Sequence, residues 1–240
     1  MYSTIARYRF TLAAMTALTV FAVLSDSYWQ SLTPQWRDWL GFAPTNFLDF
    51  QWQRLLSSLL LTAGGWKFPA SLLMLGACLA MAEHRLGTLA TIKLFLTSHV
   101  TVLLILSVVI LMLAHGVGTP SVMALANSRD IGPSAGYYGC LGAILMLFSG
   151  RWGVFGFSCV QSILLVRLVV SVSHLPDSAS IVSADAAHLL ALPLGVLLAW
   201  CGYVRPLLIP GQDIESSGCN PDNGRNGDDS GQAGSNAGDD

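Results

Sequence analysis

Apolar positions in this chain gather into long blocks separated by short polar connections. The blocks fall at roughly 9–25, 67–83, 90–114, 132–150, 152–173 and 186–204. A bilayer crossing takes about 20 apolar residues, so six transmembrane helices are predicted. The expected fold class is all-α, a polytopic membrane bundle. The first block follows Arg7 and Arg9, and no clear small-x-small cleavage site comes after it. It therefore reads as an uncleaved first helix and not as a signal peptide. Block 67–83 is short and block 132–150 is rich in glycine. Both read as central helices, because small residues let helix backbones approach closely.

The remaining segments divide the chain into a short N-terminus (1–8), a membrane domain (9–210) and a tail (211–240). Within the membrane domain the first loop, 26–66, carries Trp29, Trp36, Trp39 and Trp52. Tryptophan favours the bilayer interface, so this loop is expected to lie partly among headgroups. The tail is rich in Gly, Asn, Asp and Ser and cannot bury enough apolar surface to fold, so it is expected to be disordered. An N-terminus in the cytoplasm puts Arg7, Arg9, Arg85, Arg151 and Arg205 on the cytoplasmic side. Arg37, Arg54, Lys67 and Arg129 then fall outside, most of them in or beside the long first loop, where charge bias counts for less. Both termini are expected to be cytoplasmic.

Composition agrees with a membrane class: 53% of residues are hydrophobic and 11% charged, and the mean hydropathy is +0.57. The net charge of -2 hides an asymmetry, since seven acids and a single base lie in the last 30 residues. The bases elsewhere are scattered singly between apolar runs, which argues against nucleic acid as a partner. The five cysteines form no CxxC pair, and Cys78, Cys140, Cys159 and Cys201 lie in apolar segments. They read as packing thiols, not as metal ligands or disulfides.

Two polar residues at the edges of apolar blocks carry the candidate chemistry. Ser134 follows Gly132 and Pro133 at the start of the fourth block, and His188 lies 54 positions later near the start of the sixth. Serine and histidine are the minimal pair for nucleophilic catalysis, the imidazole taking the hydroxyl proton. Amides in the first turn of a helix are unsatisfied and suit a developing oxyanion. Tyr138, four residues after Ser134, shares its helix face and could stack on an imidazole from a neighbouring helix. Gly132, Gly136, Gly139 and Gly142 form one small-residue seam, and Ala187, Ala191 and Gly195 form another. Packed together, the seams should allow a direct Ser134–His188 hydrogen bond.

These residues resemble the rhomboid family of intramembrane serine proteases. The family carries GxSGxxxGxxGA on its fourth helix, matched here by Gly132, Ser134, Gly139, Gly142 and Ala143. Its AHxxGxxxG on the sixth helix is matched by Ala187, His188 and Gly195. Glu83-His84-Arg85-Leu86-Gly87 is similar to the family's Glu-x-Arg-Leu-Gly turn, and Arg54 stands where the first-loop arginine belongs, with Gln53 replacing its tryptophan. The resemblance covers about 50–204. It implies a six-helix rhomboid-like bundle that cleaves a peptide bond in or near a transmembrane segment of a membrane-protein substrate. Ser134 and His188 are then the catalytic pair and Tyr138 the active-site aromatic. Gly132, Gly139, Gly142, Ala191 and Gly195 are packing positions. No metal or cofactor is implied. The family's His-x-x-x-Asn oxyanion pair is replaced by Lys67 and Ser71, each still a hydrogen-bond donor. Ala135 and Ala191 replace family glycines, and Pro133 before the serine is a feature of inactive members. The compactness of the chain points to a bacterial inner membrane.

Each residue also has an ordinary reading. Ser134 alone is a helix-start serine, His188 alone a buried histidine bonded to a neighbouring helix, and Tyr138 a core aromatic. Lys67 reads first as an interfacial residue reaching for water. His99 and Arg167 fall inside predicted spans, where Arg167 must either snorkel or pair with an acid that the sequence does not single out. Asp185 is expected to cap the last helix. The alternative to a protease is an inactive rhomboid pseudoprotease that binds transmembrane clients. A transporter would need a polar path that the spans hardly supply.

Overall fold

A computed structural model of the chain describes residues 6–148 and 151–203. Its regular elements are helical, apart from two isolated bridge pairings, Ser31 with Gly64 and Phe42 with Asp130. Six helices of 14 residues or more form the bundle: α1 (Arg9–Leu24), α2 (Lys67–Leu86), α3 (Thr88–Val117), α4 (Ser134–Leu147), α5 (Arg151–Val172) and α6 (Ala179–Trp200). Of these, α3, α5 and α6 are long and apolar enough to cross a membrane unaided. Helices α1 and α4 are apolar but shorter, and α2 carries Lys67, Glu83, His84 and Arg85 towards its ends. The predicted tail, 211–240, lies outside the described residues, as does most of the N-terminal segment 1–8.

Helix α4 packs against α2, α3, α5 and α6, which makes it the centre of the bundle. It has 14 residues, about 21 Å at 1.5 Å per residue, against 30 residues in α3. Helix α4 is thus a short helix held at the centre of longer ones. Its small residues give it that position. A Cβ on Gly142 would strike the Leu192 carbonyl oxygen, and one on Gly195 would strike the Gly139 carbonyl oxygen, so α4 and α6 meet backbone to backbone. On the opposite face, Gly139 leaves room for the Ser98 side chain of α3, and Gly136 for the Phe95 ring. Leu79, Leu94, Cys140 and Ala143 fill the adjoining core.

The first loop is folded and anchored. His99 of α3 is fully buried, and its Nε2 donates to the Leu55 carbonyl at 2.9 Å. Arg54 donates to the carbonyls of Asp38 and Gly41, and Ser57 to that of Leu40. Phe42 and Asp130 exchange backbone hydrogen bonds of 3.1 and 2.7 Å, and the Gly132 amide donates to Ser58. The loop thus grips the segment that leads into Ser134. Four of its tryptophans, Trp29, Trp39, Trp52 and Trp66, are exposed, while Trp36 is half-buried. At the other end of α1, the buried Glu83 carboxylate accepts from the amides of Phe10 and Thr11 and from the Thr11 hydroxyl. One acid of α2 thereby satisfies orphan donors at the start of α1.

The last hairpin departs from the expected boundaries. Helix α6 begins at Ala179, seven residues before the expected 186, so Asp185 lies inside it and is not its cap; Ser178 is the flanking residue. Pro193 lies within α6 and has no N–H for the Leu189 carbonyl. The Gln161 side chain of α5 donates to that carbonyl instead, at 3.1 Å.

Candidate active site

Ser134, the first residue of α4, opens onto a cavity of about 360 Å³. Lys67, Ser71 and Met74 of α2 border it, as do Asp130 and Pro133 ahead of α4. Tyr138 completes the α4 face, and Arg167, Asp185 and His188 come from α5 and α6. Five residues singled out from the sequence therefore meet in one space: Ser134, His188, Tyr138, Lys67 and Ser71. Gly139, Gly142, Ala191 and Gly195 form the floor seam that sets the α4–α6 spacing. Gly132 has a φ of +116°, a backbone conformation that disfavours any side chain, and it turns the chain into Pro133 and Ser134.

His188 stacks on Tyr138, with ring centroids 4.6 Å apart and planes inclined by 30°. Both of its ring nitrogens are buried and neither has a hydrogen-bond partner. The expected direct hydrogen bond between Ser134 and His188 is therefore not made in this structure. Leaving a buried polar group unsatisfied costs about 1–3 kcal/mol. The imidazole is held in place by packing and stacking, and both nitrogens are left free.

The acid that sequence reasoning could not find for Arg167 is Asp185, at 2.9 Å. The contact is an ion pair without hydrogen-bond alignment. The second carboxylate oxygen of Asp185 accepts from the Ser171 hydroxyl at 3.2 Å. Asp185 is 2% exposed and Arg167 56%, so the pair runs from the interior to the surface of α5. Asp185 Oδ1 lies 4.0 Å from His188 Nδ1, beyond hydrogen-bond reach. A signal for the pair was present: Arg167 and Asp185 lie nine positions either side of residue 176, as residues facing each other across an antiparallel hairpin must. Arg37, from the short helix Pro34–Leu40 in the first loop, also lines the cavity, and nothing in the sequence pointed to it.

Burial pushes the Asp130 carboxyl up from 3.8 to about 6, against a smaller downward pull from the Ile131 amide. A carboxyl whose pKa is raised on folding is protonated in the folded chain before the unfolded one. Stability should then rise as pH falls from about 6 towards 4. Asp130→Asn should lose that part of the rise, which thermal unfolding of both proteins across the interval would measure.

A family model described as Rhomboid domain matches residues 49–205. The chain belongs to the rhomboid family. The match takes in α2 to α6 and the second half of the first loop. This rhomboid is accordingly an integral membrane protein with a polytopic helical bundle, and its family acts on membrane-protein substrates within the bilayer. Searches of curated proteins and of solved structures each returned no match.

Proposed function

We propose that this rhomboid is an intramembrane serine protease acting through Ser134 and His188. The single observation that carries the reading is the free imidazole of His188, stacked on Tyr138 and sharing a cavity with Ser134. A histidine kept only for packing would satisfy at least one nitrogen. Here the unpaired nitrogens are what a general base requires. His188 takes the Ser134 hydroxyl proton as the oxygen attacks the scissile carbonyl, then passes it to the leaving amine. The Ser134 amide, at the start of α4, is the first oxyanion donor, and Lys67 and Ser71 are the side-chain candidates. The substrate is a transmembrane or juxtamembrane segment that unwinds locally, because helical backbone shields its peptide bonds. The attacking contact is absent here, and catalytic hydrogen bonds commonly tighten only when substrate is bound. The six long helices are taken as six spans, with both termini cytoplasmic, in a bacterial inner membrane.

A second reading, a pseudoprotease that binds client helices, is favoured by Pro133 ahead of Ser134 and by the missing Ser134–His188 hydrogen bond. Fluorophosphonate labelling of the detergent-solubilised chain separates the two. The protease reading expects a labelled wild type and no label on Ser134→Ala or His188→Ala. A folded wild type that takes no label supports the pseudoprotease. Label surviving on Ser134→Ala would mean that another residue is the nucleophile.

A further inference from the structure

The cavity that holds Ser134 and His188 has a basic lining drawn from four separate elements. Arg37 comes from the helix Pro34–Leu40, Lys67 from the first turn of α2, Arg129 from the segment before α4, and Arg167 from α5. Two of these charges are already matched. Arg129 donates through Nε to Asp38 at 2.8 Å, with a further contact to Asn46 Oδ1 at 3.3 Å, and Arg167 pairs with Asp185. Arg37 and Lys67 form no ion pair among the described residues. Arg37 Nε is moreover buried without a hydrogen-bond partner, although the side chain borders the cavity. The acids on the lining do not offset them. Asp185 is taken by Arg167, and the buried Asp130 pairs with neither Arg37 nor Lys67 among the described residues.

A desolvated guanidinium nitrogen without an acceptor is costly unless something in the working complex supplies one. A carboxylate fits that need best, because its two oxygens match the guanidinium fork. It is also small enough for this cavity. A phospholipid headgroup would have to bring its acyl chains to the same place. Met74 and Ile181 add apolar wall to the same cavity, both partly open to the surface, which suits a peptide that carries apolar as well as polar side chains.

We infer that the cavity rim binds a carboxylate side chain of the client. The preferred client is then a transmembrane segment with Asp or Glu in the flank beside the bond presented to Ser134, and Arg37 is its main contact. The inference rests on the reading that this cavity receives a peptide, and it does not require turnover.

The test uses the full chain carrying Ser134→Ala, in nanodiscs of zwitterionic lipid, with fluorescent transmembrane peptides that differ only in one flank residue: Glu, Gln or Lys. The Glu peptide should bind about tenfold tighter than the Gln peptide, the scale of one added charge-assisted hydrogen bond, and the Lys peptide weakest. The preference should shrink as salt is raised and fall to near parity in Arg37→Gln, with Arg37→Lys retaining part of it. Equal binding of Glu and Gln peptides overturns the inference, as does a preference that survives in Arg37→Gln. Loss of the preference when a third of the lipid carries anionic headgroups assigns the rim to lipid and also overturns it. An intact preference in a chain that never takes the fluorophosphonate label would leave this inference standing and remove only the protease reading.

Discussion

Gly195→Ala and Gly142→Ala each destabilise the bundle, by about 1–3 kcal/mol or more in the manner of overpacked cores. The added methyl at either site meets a backbone carbonyl of the facing helix, Gly139 in one case and Leu192 in the other. A side-chain neighbour could turn aside, but a carbonyl within a helix moves only if the whole helix moves. The α4 and α6 axes must therefore separate, and with them Tyr138 and His188, so the stack at 4.6 Å opens as well. Because one separation relieves both clashes, the double variant should cost clearly less than the sum of the singles. Gly116→Ala in α3 is the control, since nothing lies within 4 Å of its added Cβ. Alanine there should leave stability unchanged or raise it by up to about 1 kcal/mol. Unfolding in mixed detergent micelles reads all four variants. Additive costs, or a destabilised Gly116→Ala, would contradict the backbone-contact account.

The second large effect is an asymmetry within one ion pair. Arg167→Leu leaves Asp185, 2% exposed, with the Ser171 hydroxyl as its hydrogen-bond donor and the neutral His188 ring 4.0 Å away. Removing one partner of a buried pair costs about 3–5 kcal/mol. Asp185→Asn leaves Arg167, 56% exposed, on a long side chain that can turn towards water or headgroups. Its cost should be well under half of the first. Combining the two changes should recover most of what Arg167→Leu lost, because no isolated charge then remains inside. Equal costs for the two single variants would show that the pair is not buried as described.

Regular spacing made the seam residues visible, and hydropathy the apolar helices, because hydropathy measures the cost of moving side chains into lipid. It says nothing of side chains moved into protein. The first two turns of α6 show the difference. Ser183 and Asp185 look like loop residues on that scale, yet both are buried in the structure and Asp185 is paired. The helix therefore starts seven residues earlier than the sequence suggested. Ser134, Tyr138 and His188 were singled out because their spacing sets polar chemistry beside small residues, and all three line one cavity. The missing Ser134–His188 hydrogen bond could not be foreseen, since side-chain rotamers leave no mark on spacing. Arg37 was hidden for another reason. A loop that folds through backbone and arginine contacts, as 26–66 does, brings distant residues to the cavity without any periodic pattern.

The ties between α5 and α6 also bear on how the chain enters the membrane. On a lone helix an arginine costs about 2.5–3.5 kcal/mol to insert at the bilayer centre, and less where Arg167 stands, five residues from the end of α5. Its counter-ion lies across a short turn, with Gln161 bonded to Leu189 and Ser178 to Ser171 along the same hairpin. These contacts are local in sequence, so they can form before the rest of the bundle assembles. A hairpin closed by these contacts would enter the bilayer with the Arg167 charge already neutralised by Asp185, and would offer α4 a preformed wall.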